Sequence, residues 1–490
     1  MSKKIGGVVV LAGICALSVF LLNCGNSSFR PSEELYVLTQ GSSGLGNSVA
    51  SFGIDLESGN LTYINSSATT CPILATPTNT NPCGLPVDIL LDPTGYVAFV
   101  LDQGAPACPS CTPATNYPFA PAIYPYTVTS DGSLSNPGPA VNWTCTNVPT
   151  PPACTGEDTA KAMVRDAAGQ FLFVIDQGLS PSPTNCPAVG TLNPSDPQYH
   201  GCPSISVFAM QPGKTTLTLA SGTTNGGSPF YLSKTPTSLS AITFTPPGST
   251  TAQELLFVTN NYDLCTLGCS SPSVPNDNTV SVYAVNSDGT LTEQPNSPYT
   301  IVAADPVSVL AVNTLPANVG AIGGLFVYVG QGAGGGALFP FQVCWVVGVA
   351  PCDTTEAVVD HLLFPLTTCP ALSCQVPPSA AGEYPVQMLA DPTNNFLYAL
   401  SQNSNQVFAF GIGTTTGELT ALPVTPNQPT GTLPVSMALH PSVSNTGQYL
   451  YTSNSASSNI TGFTLSTTSG VMLNPITVIA PEAPSGMAVH

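Results

Sequence analysis

The chain has 490 residues, of which only 7% are charged and 42% are hydrophobic, while Gly (44) and Pro (50) are abundant. That composition describes many short strands joined by turns and irregular loops, and its regular Val, Ile, Leu, Phe and Tyr runs set it apart from disordered Pro- and Gly-rich chains. With 26 acidic against 7 basic side chains and a formal net charge of -19, it lacks the Lys and Arg that neutralise phosphates, which excludes nucleic acid as a partner.

Lys3 and Lys4, followed by the apolar stretch 5–22, have the pattern of an export signal. Leu21-Leu22-Asn23-Cys24-Gly25 then resembles a bacterial lipobox, in which the cysteine becomes the lipidated first mature residue. Asn23 departs from the small residue usual before that cysteine, which leaves ordinary signal cleavage or an uncleaved anchor as alternatives. The expected organisation is a signal over 1–23, a tether over 24–32 and a single domain over 33–490. An acylated Cys24 would hold the chain on a membrane of the bacterial cell envelope, at about 0.8 kcal/mol per buried CH₂.

The first β-run, 34–40, leads through a Gly/Ser loop to 48–55 and then to 61–64, three strands without a preceding partner. A fuller unit follows: 87–91, the turn Asp92-Pro93-Thr94-Gly95, 96–101, a long loop, 122–128, the turn Ser130-Asp131-Gly132-Ser133, and a strand from Leu134. The plan recurs at 162–165, 171–175 and 204–210. It recurs again from Ser238 through 255–259 and 279–285 to Leu291, and then at 307, 325–329 and 337–343. In 279–285, Val280, Val282 and Ala284 alternate with Ser281, Tyr283 and Val285, as in a half-buried strand, and Asp288-Gly289 marks a tight turn. Two compact copies follow, 386–400 with 406–419, and 435–452 with 459–473.

Only PSGMAVH, 484–490, remains, and it matches the opening strand of other copies, PVQMLAD from Pro385 and PVSMALH from Pro434. The chain therefore begins with three strands and ends with one. Joining them completes a seventh four-stranded antiparallel sheet and removes two open edges. The fold expected is an all-β, seven-bladed β-propeller closed by its C-terminal strand. Phe257-Val258-Thr259-Asn260, then Asn278-Thr279-Val280-Ser281-Val282, with Asp288-Gly289-Thr290-Leu291, resembles the YVTN-type repeat of the seven-bladed lactonase-like (6-phosphogluconolactonase-like) propellers, including bacterial envelope lipoproteins. The resemblance covers 33–490 and is weakly specific to any activity, because propellers host many unrelated functions.

Sixteen cysteines are present. With Cys15 in the signal and Cys24 lipidated, the rest fall into seven sequence-local couples: Cys71 with Cys83, Cys108 with Cys111, Cys145 with Cys154, Cys186 with Cys202, Cys265 with Cys269, Cys344 with Cys352, and Cys369 with Cys374. An even number in an exported chain favours disulfides, each worth about 2–3 kcal/mol in the chain-entropy treatment. Cys108-Pro-Ser-Cys111 also has zinc-knuckle or redox spacing, but it lacks a second pair nearby and a strand-to-helix context.

In a four-stranded meander the loops joining strands two and three, and strand four to the next blade, emerge on one face. Six cysteine couples belong to that face; Cys344 with Cys352 falls between strands three and four. Long crosslinked loops on a rigid scaffold suit binding. The second strands end on the same face in Gln40, Asp102-Gln103, Asp176-Gln177, Asn260-Asn261, Gln331, Gln402-Asn403 and Asn454. Such a repeated polar residue either caps its strand and bonds neighbouring backbone or forms a polar ring around a channel mouth. Asp102 and Asp176 have oxygen donors nearby, but no compact loop of alternating Asp and Asn supports a calcium ion. No metal and no cofactor are expected.

A lactonase must activate water and stabilise the oxyanion formed on the attacked carbonyl. The resemblance implies His, Glu and Arg groupings, and cations for a phosphorylated sugar. The four histidines, His200, His361, His440 and His490, show no metal spacing, Arg165 stands beside the Asp166 turn on the other face, and no GxSxG, Walker or HExxH motif occurs. No catalytic residue is carried over. Two readings follow: a membrane-anchored, monomeric scaffold presenting its loop face to a carbohydrate, peptide or envelope protein, and a lactonase-like hydrolase of an uncharged lactone.

Overall fold

The computed structural model describes residues 33–40, 47–69, 85–103, 121–135, 137–142, 160–177, 203–220, 229–232, 234–245, 251–261, 278–294, 297–301, 305–314, 324–332, 336–344, 362–365, 384–422, 427–441 and 447–490. Among them there is no helix, and seven antiparallel sheets form the blades of a propeller. From the innermost strand outward, blade 1 is Pro86–Leu91, Val97–Asp102, Ala122–Thr127 and Val141–Asn142, and blade 2 is Ala160–Arg165, Phe171–Asp176, Ser204–Met210 and Leu217–Leu219. Blade 3 is Thr235–Phe244, Gln253–Asn261, Thr279–Val285 and Leu291–Glu293; blade 4 is Pro306–Asn313, Leu325–Gln331, Leu338–Cys344 and Leu362–Pro365. Blade 5 is Pro385–Ala390, Phe396–Ser401, Gln406–Ile412 and Leu419–Ala421; blade 6 is Pro434–His440, Gln448–Asn454, Asn459–Leu465 and Met472–Ile479. In blades 2, 3 and 5 a further short strand, Phe230–Tyr231, Tyr299–Thr300 or Asn427–Pro429, pairs with the same third strand.

Blade 7 joins the two ends of the chain. Ala483–Val489 is its innermost strand and pairs antiparallel with Glu34–Gln40, with Met487 opposite Val37; Ser48–Ile54 and Leu61–Ala68 complete the sheet.

The core is seven apolar layers, each trapped between neighbouring blades. Alternation along a strand divides it between two layers: Leu35 and Val37 pack with Tyr449 and Tyr451 of blade 6, whereas Tyr36 and Leu38 pack with Ala98, Val100 and Tyr126 of blade 1. The second strands therefore read as unbroken apolar runs such as Phe171-Leu-Phe-Val-Ile175. The half-buried pattern expected over 279–285 needs correction on the same ground. Val280 and Val282 face blade 4 and Tyr283 faces blade 2, and even Ser281 is buried, because every blade is covered on both sides.

The 1–2 turns are fixed by their aspartates. Oδ1 of Asp92, Asp166 and Asp391 accepts the N–H of Val97 (2.8 Å), Phe171 (2.8 Å) and Phe396 (2.7 Å), which pins the start of the second strand. In blades 6 and 7 the equivalent position is histidine, His440 and His490.

Candidate functional site

The seven innermost strands surround a central channel of about 690 Å³. Each of them carries the same irregularity. The register slips just after Pro86, Ala160, Pro236, Pro306, Pro385 and Pro434, and in blade 7 beside Pro484. Proline has no N–H to give to a ladder and suits the first position of a strand, and a bulge there re-aims the residues that follow.

That re-aiming links blade to blade. An innermost strand has no ladder partner on its inner edge, so its N–H groups need acceptors from elsewhere. Asp88 Oδ2 accepts from Met163 N (2.9 Å), Ser238 Oγ from Val309 N (3.3 Å), and Gln387 Oε1 from Met437 N (2.5 Å), in each case the side chain two places after the proline reaching the next blade. The carbonyl of the first residue is used as well: Pro86 O accepts from Ser485 Oγ (3.0 Å), Pro306 O from Thr237 Oγ1 (2.6 Å), and Pro385 O from Ser308 Oγ (2.5 Å).

The amide and carboxylate residues that end the second strands divide into two classes. Asn260 and Asn454, 1% and 0% exposed, turn into their own blades. Asn260 Nδ2 donates to Thr279 Oγ1 and Ser281 Oγ (3.2 and 2.9 Å), and Asn454 Nδ2 to Asn459 Oδ1 and Thr461 Oγ1 (2.8 and 3.0 Å). They clasp strand two to strand three, the capping role of the two open to such residues, and are not among the groups that line the channel. Asp176, 2% exposed, holds the same register in blade 2, opposite Ala160, as Asp102 does in blade 1, opposite Pro86. Gln331 also takes this register, opposite Pro306.

The residue one place further on faces the channel. Here Gln40, Gln177 and Gln402 donate through Nε2 to Pro86 O (3.1 Å), Pro236 O (3.0 Å) and Pro434 O (3.3 Å) of the following blade. These glutamines are inter-blade latches that border the channel. Gln103 has its backbone N–H on Leu85 O at 3.0 Å, and Asn261 and Asp305 meet side chain to side chain.

Three charged residues in the wall, Asp88, Lys161 and Asp305, had no signal as site residues in the sequence. Burial pushes the Asp88 carboxyl up to about 6, partly offset by the N–H groups of Met163 and Ile89. Lys161 is the cationic side chain of the wall among the described residues, and it stands two places before the Met163 that Asp88 holds. Across the channel lie Asp305 and Tyr384, whose hydroxyl is raised by burial and then by Asp305. Among the described residues no group of three or more His, Cys, Asp or Glu is arranged to hold a metal ion.

Arg165, His440 and His490 stand at the other end of the inner strands, where His440 is fully buried. Arg165 is committed to backbone carbonyls, Nε to Leu91 O (3.1 Å) and Nη1 to Asp166 O (3.2 Å). His200 and His361 lie outside the described residues, as do Cys24 and the cysteines of all seven couples except Cys344, which ends the third strand of blade 4.

No family model matches the chain, and no curated protein is similar to it in sequence. Solved structures do match. The periplasmic gluconolactonase of Pseudomonas aeruginosa is 14% identical with a TM-score of 0.56, covering 93% of this chain and 98% of its own. A 6-phosphogluconolactonase-like protein of Bacteroides fragilis is 13% identical (TM-score 0.53; 95% and 99% covered), and a Lactobacillus plantarum protein is 14% identical (TM-score 0.53; 94% and 99% covered). Likeness at this level of identity establishes the fold, a seven-bladed propeller, and nothing finer.

Proposed function

We propose that the chain is an extracytoplasmic binding propeller, anchored through Cys24, that takes a small neutral polyhydroxylated ligand, carbohydrate in chemistry, into its channel from the face of the long connections. The observation that carries this reading is the wall itself. Hydroxyl and amide groups, among them Thr237, Ser238, Gln387, Gln402, Ser436 and Ser485, line a cavity within the range of about 300–1,000 Å³ usual for small-ligand sites. The export-signal pattern and the name of the periplasmic neighbour support the location. A thermal-shift and calorimetric screen of the full chain against neutral sugars, sugar lactones and short peptides tests it. A binder present at 100 times its Kd should stabilise by about 2.7 kcal/mol. Val435→Trp, which fills the channel, should abolish the shift. Shifts that survive Val435→Trp, or none with any sugar, would remove the reading.

A second reading, hydrolysis of an uncharged lactone, draws on Asp88 and Lys161 and on the lactonase-like fold. In it Asp88 takes a proton from water, the resulting hydroxide oxygen attacks the carbonyl carbon, and the Lys161 ammonium offsets the oxyanion. As the ring C–O bond breaks, Asp88 returns the proton to the leaving oxygen. The rate should rise with pH through about 6, where Asp88 ionises. Asp88→Asn should lower kcat by about 10²–10⁴-fold, the usual worth of a general base. Sugar binding without turnover above background would end this second reading and leave the first intact.

A further inference from the structure

We propose that the ring is fastened at its seam by one buried proton held between Glu33 and His440, which makes closure indifferent to mildly acidic surroundings. The inference is independent of what the channel binds. Consecutive residues of a strand point to opposite faces, so Glu33 and Glu34 send one carboxyl to each neighbouring blade. Glu33 Oε2 is in direct contact with Nε2 of His440, the last residue of the inner strand of blade 6, whose side chain is fully buried. Glu34 lies over Gly132 of blade 1 and stands 3.8 Å from Nδ1 of His490. His490 in turn overlies Gly95 of blade 1, and its N–H donates to Glu34 O at 3.0 Å. Histidine occupies these two positions where blades 1, 2 and 5 place a turn-capping aspartate, and blades 6 and 7 are the two that meet at the seam.

The other ionisable groups facing the pair are Glu34 and His490 from blade 7, Tyr449 and Tyr451 from blade 6, and Asp55 and Glu57 from the 3–4 turn of blade 7. The Tyr449 ring lies 5.9 Å from that of His440, and both tyrosine hydroxyls are spent on backbone, on Leu56 O and Gly59 O at 2.9 Å. A separated charge pair is disfavoured in this enclosure, so the proton rests on the carboxyl, and Oε2–H donates to the neutral imidazole. Burial pushes Glu33 up to about 7 and holds His440 down to about 4.

The signs oppose. Glu33, raised from 4.5, makes the folded state bind the extra proton between about 4.5 and 7, so its contribution falls as pH rises. His440, lowered from 6.5, makes the unfolded state bind the extra proton between about 4 and 6.5, so its contribution rises with pH. Together they hold one proton in both states from about 4.5 to 6.5, and the seam adds no slope there.

Single substitutions should expose the two slopes. Urea unfolding of the full chain is measured from pH 4 to 7.5 for wild type, Glu33→Gln, His440→Gln and the double variant. Relative to wild type, the folded-to-unfolded ratio of Glu33→Gln should rise with pH across the lower range, by up to about tenfold per pH unit. That of His440→Gln should fall with pH, and the double variant should be flat. If His440→Gln does not fold, the Glu33→Gln slope decides alone. Flat differences would mean that both side chains titrate as they do in the unfolded chain, and slopes of the same sign that the two do not share one proton; either result overturns the proposal.

Discussion

A chain ending at Glu482 is expected to lose its cooperative unfolding transition and its near-ultraviolet tertiary signal. Residues 483–489 are the inner strand of blade 7, held to the rest of that blade only by pairing with Glu34–Gln40. Without them the inner edge of Glu34–Gln40 is bare, and the two apolar layers on either side of blade 7 open to water. Two further bonds at the closure go with them, the Ser485 bond to Pro86 O and the His490 N–H bond to Glu34 O. A graded version keeps the strand and empties part of one layer. Met487 is 5% exposed between blades 6 and 7, and Met487→Ala should cost about 2–5 kcal/mol, as buried Met-to-Ala changes do. Urea unfolding followed by circular dichroism measures both. A truncated chain that unfolds with the midpoint and slope of the full one would show that blade 7 does not close through its C-terminal strand.

The second large effect is expected at Gly417. Tyr hydroxyls of second strands reach the turn glycine of the next blade four times: Tyr36 to Gly132 O (3.1 Å), and Tyr328 to Gly417 O, Tyr398 to Gly470 O and Tyr451 to Gly59 O at 2.9 Å each. The glycines have φ of 79°, 65°, 68° and 74°, and a Cβ on Gly417 would overlap the Phe326 ring of blade 4. Gly417→Ala therefore combines left-handed backbone strain with overpacking and should cost about 3 kcal/mol. Tyr328→Phe removes only the hydroxyl and should cost about 1 kcal/mol. The double variant should cost less than the sum, because the alanine already displaces the latch that the phenylalanine removes. Additive costs would mean that the hydroxyl bond and the close approach are separate features.

Much of the fold was legible because its signals are local. Alternation and apolar runs mark strands, Asp92-Pro-Thr-Gly95 marks a turn within four residues, and the likeness of PSGMAVH to PVSMALH shows that the last strand repeats the first strand of other copies. Polar residues at the ends of second strands were equally visible, but their roles were not. Whether Asn260 turns into its own blade or Gln177 crosses to the next depends on a single step along the strand, and the bulge that sets that step is formed only when strands pair.

The sequence by itself determined seven repeats of a β-meander and the strand that closes them, since each depends on residues within a few tens of positions. Tertiary structure decided the rest. It alone covers both faces of every blade, places Asp88 against Met163, and brings Glu33 to His440, because a ring sets inner strands some seventy residues apart side by side and joins the two ends of the chain. Contacts of that kind follow from packing apolar layers around an axis, and no short stretch of sequence records them.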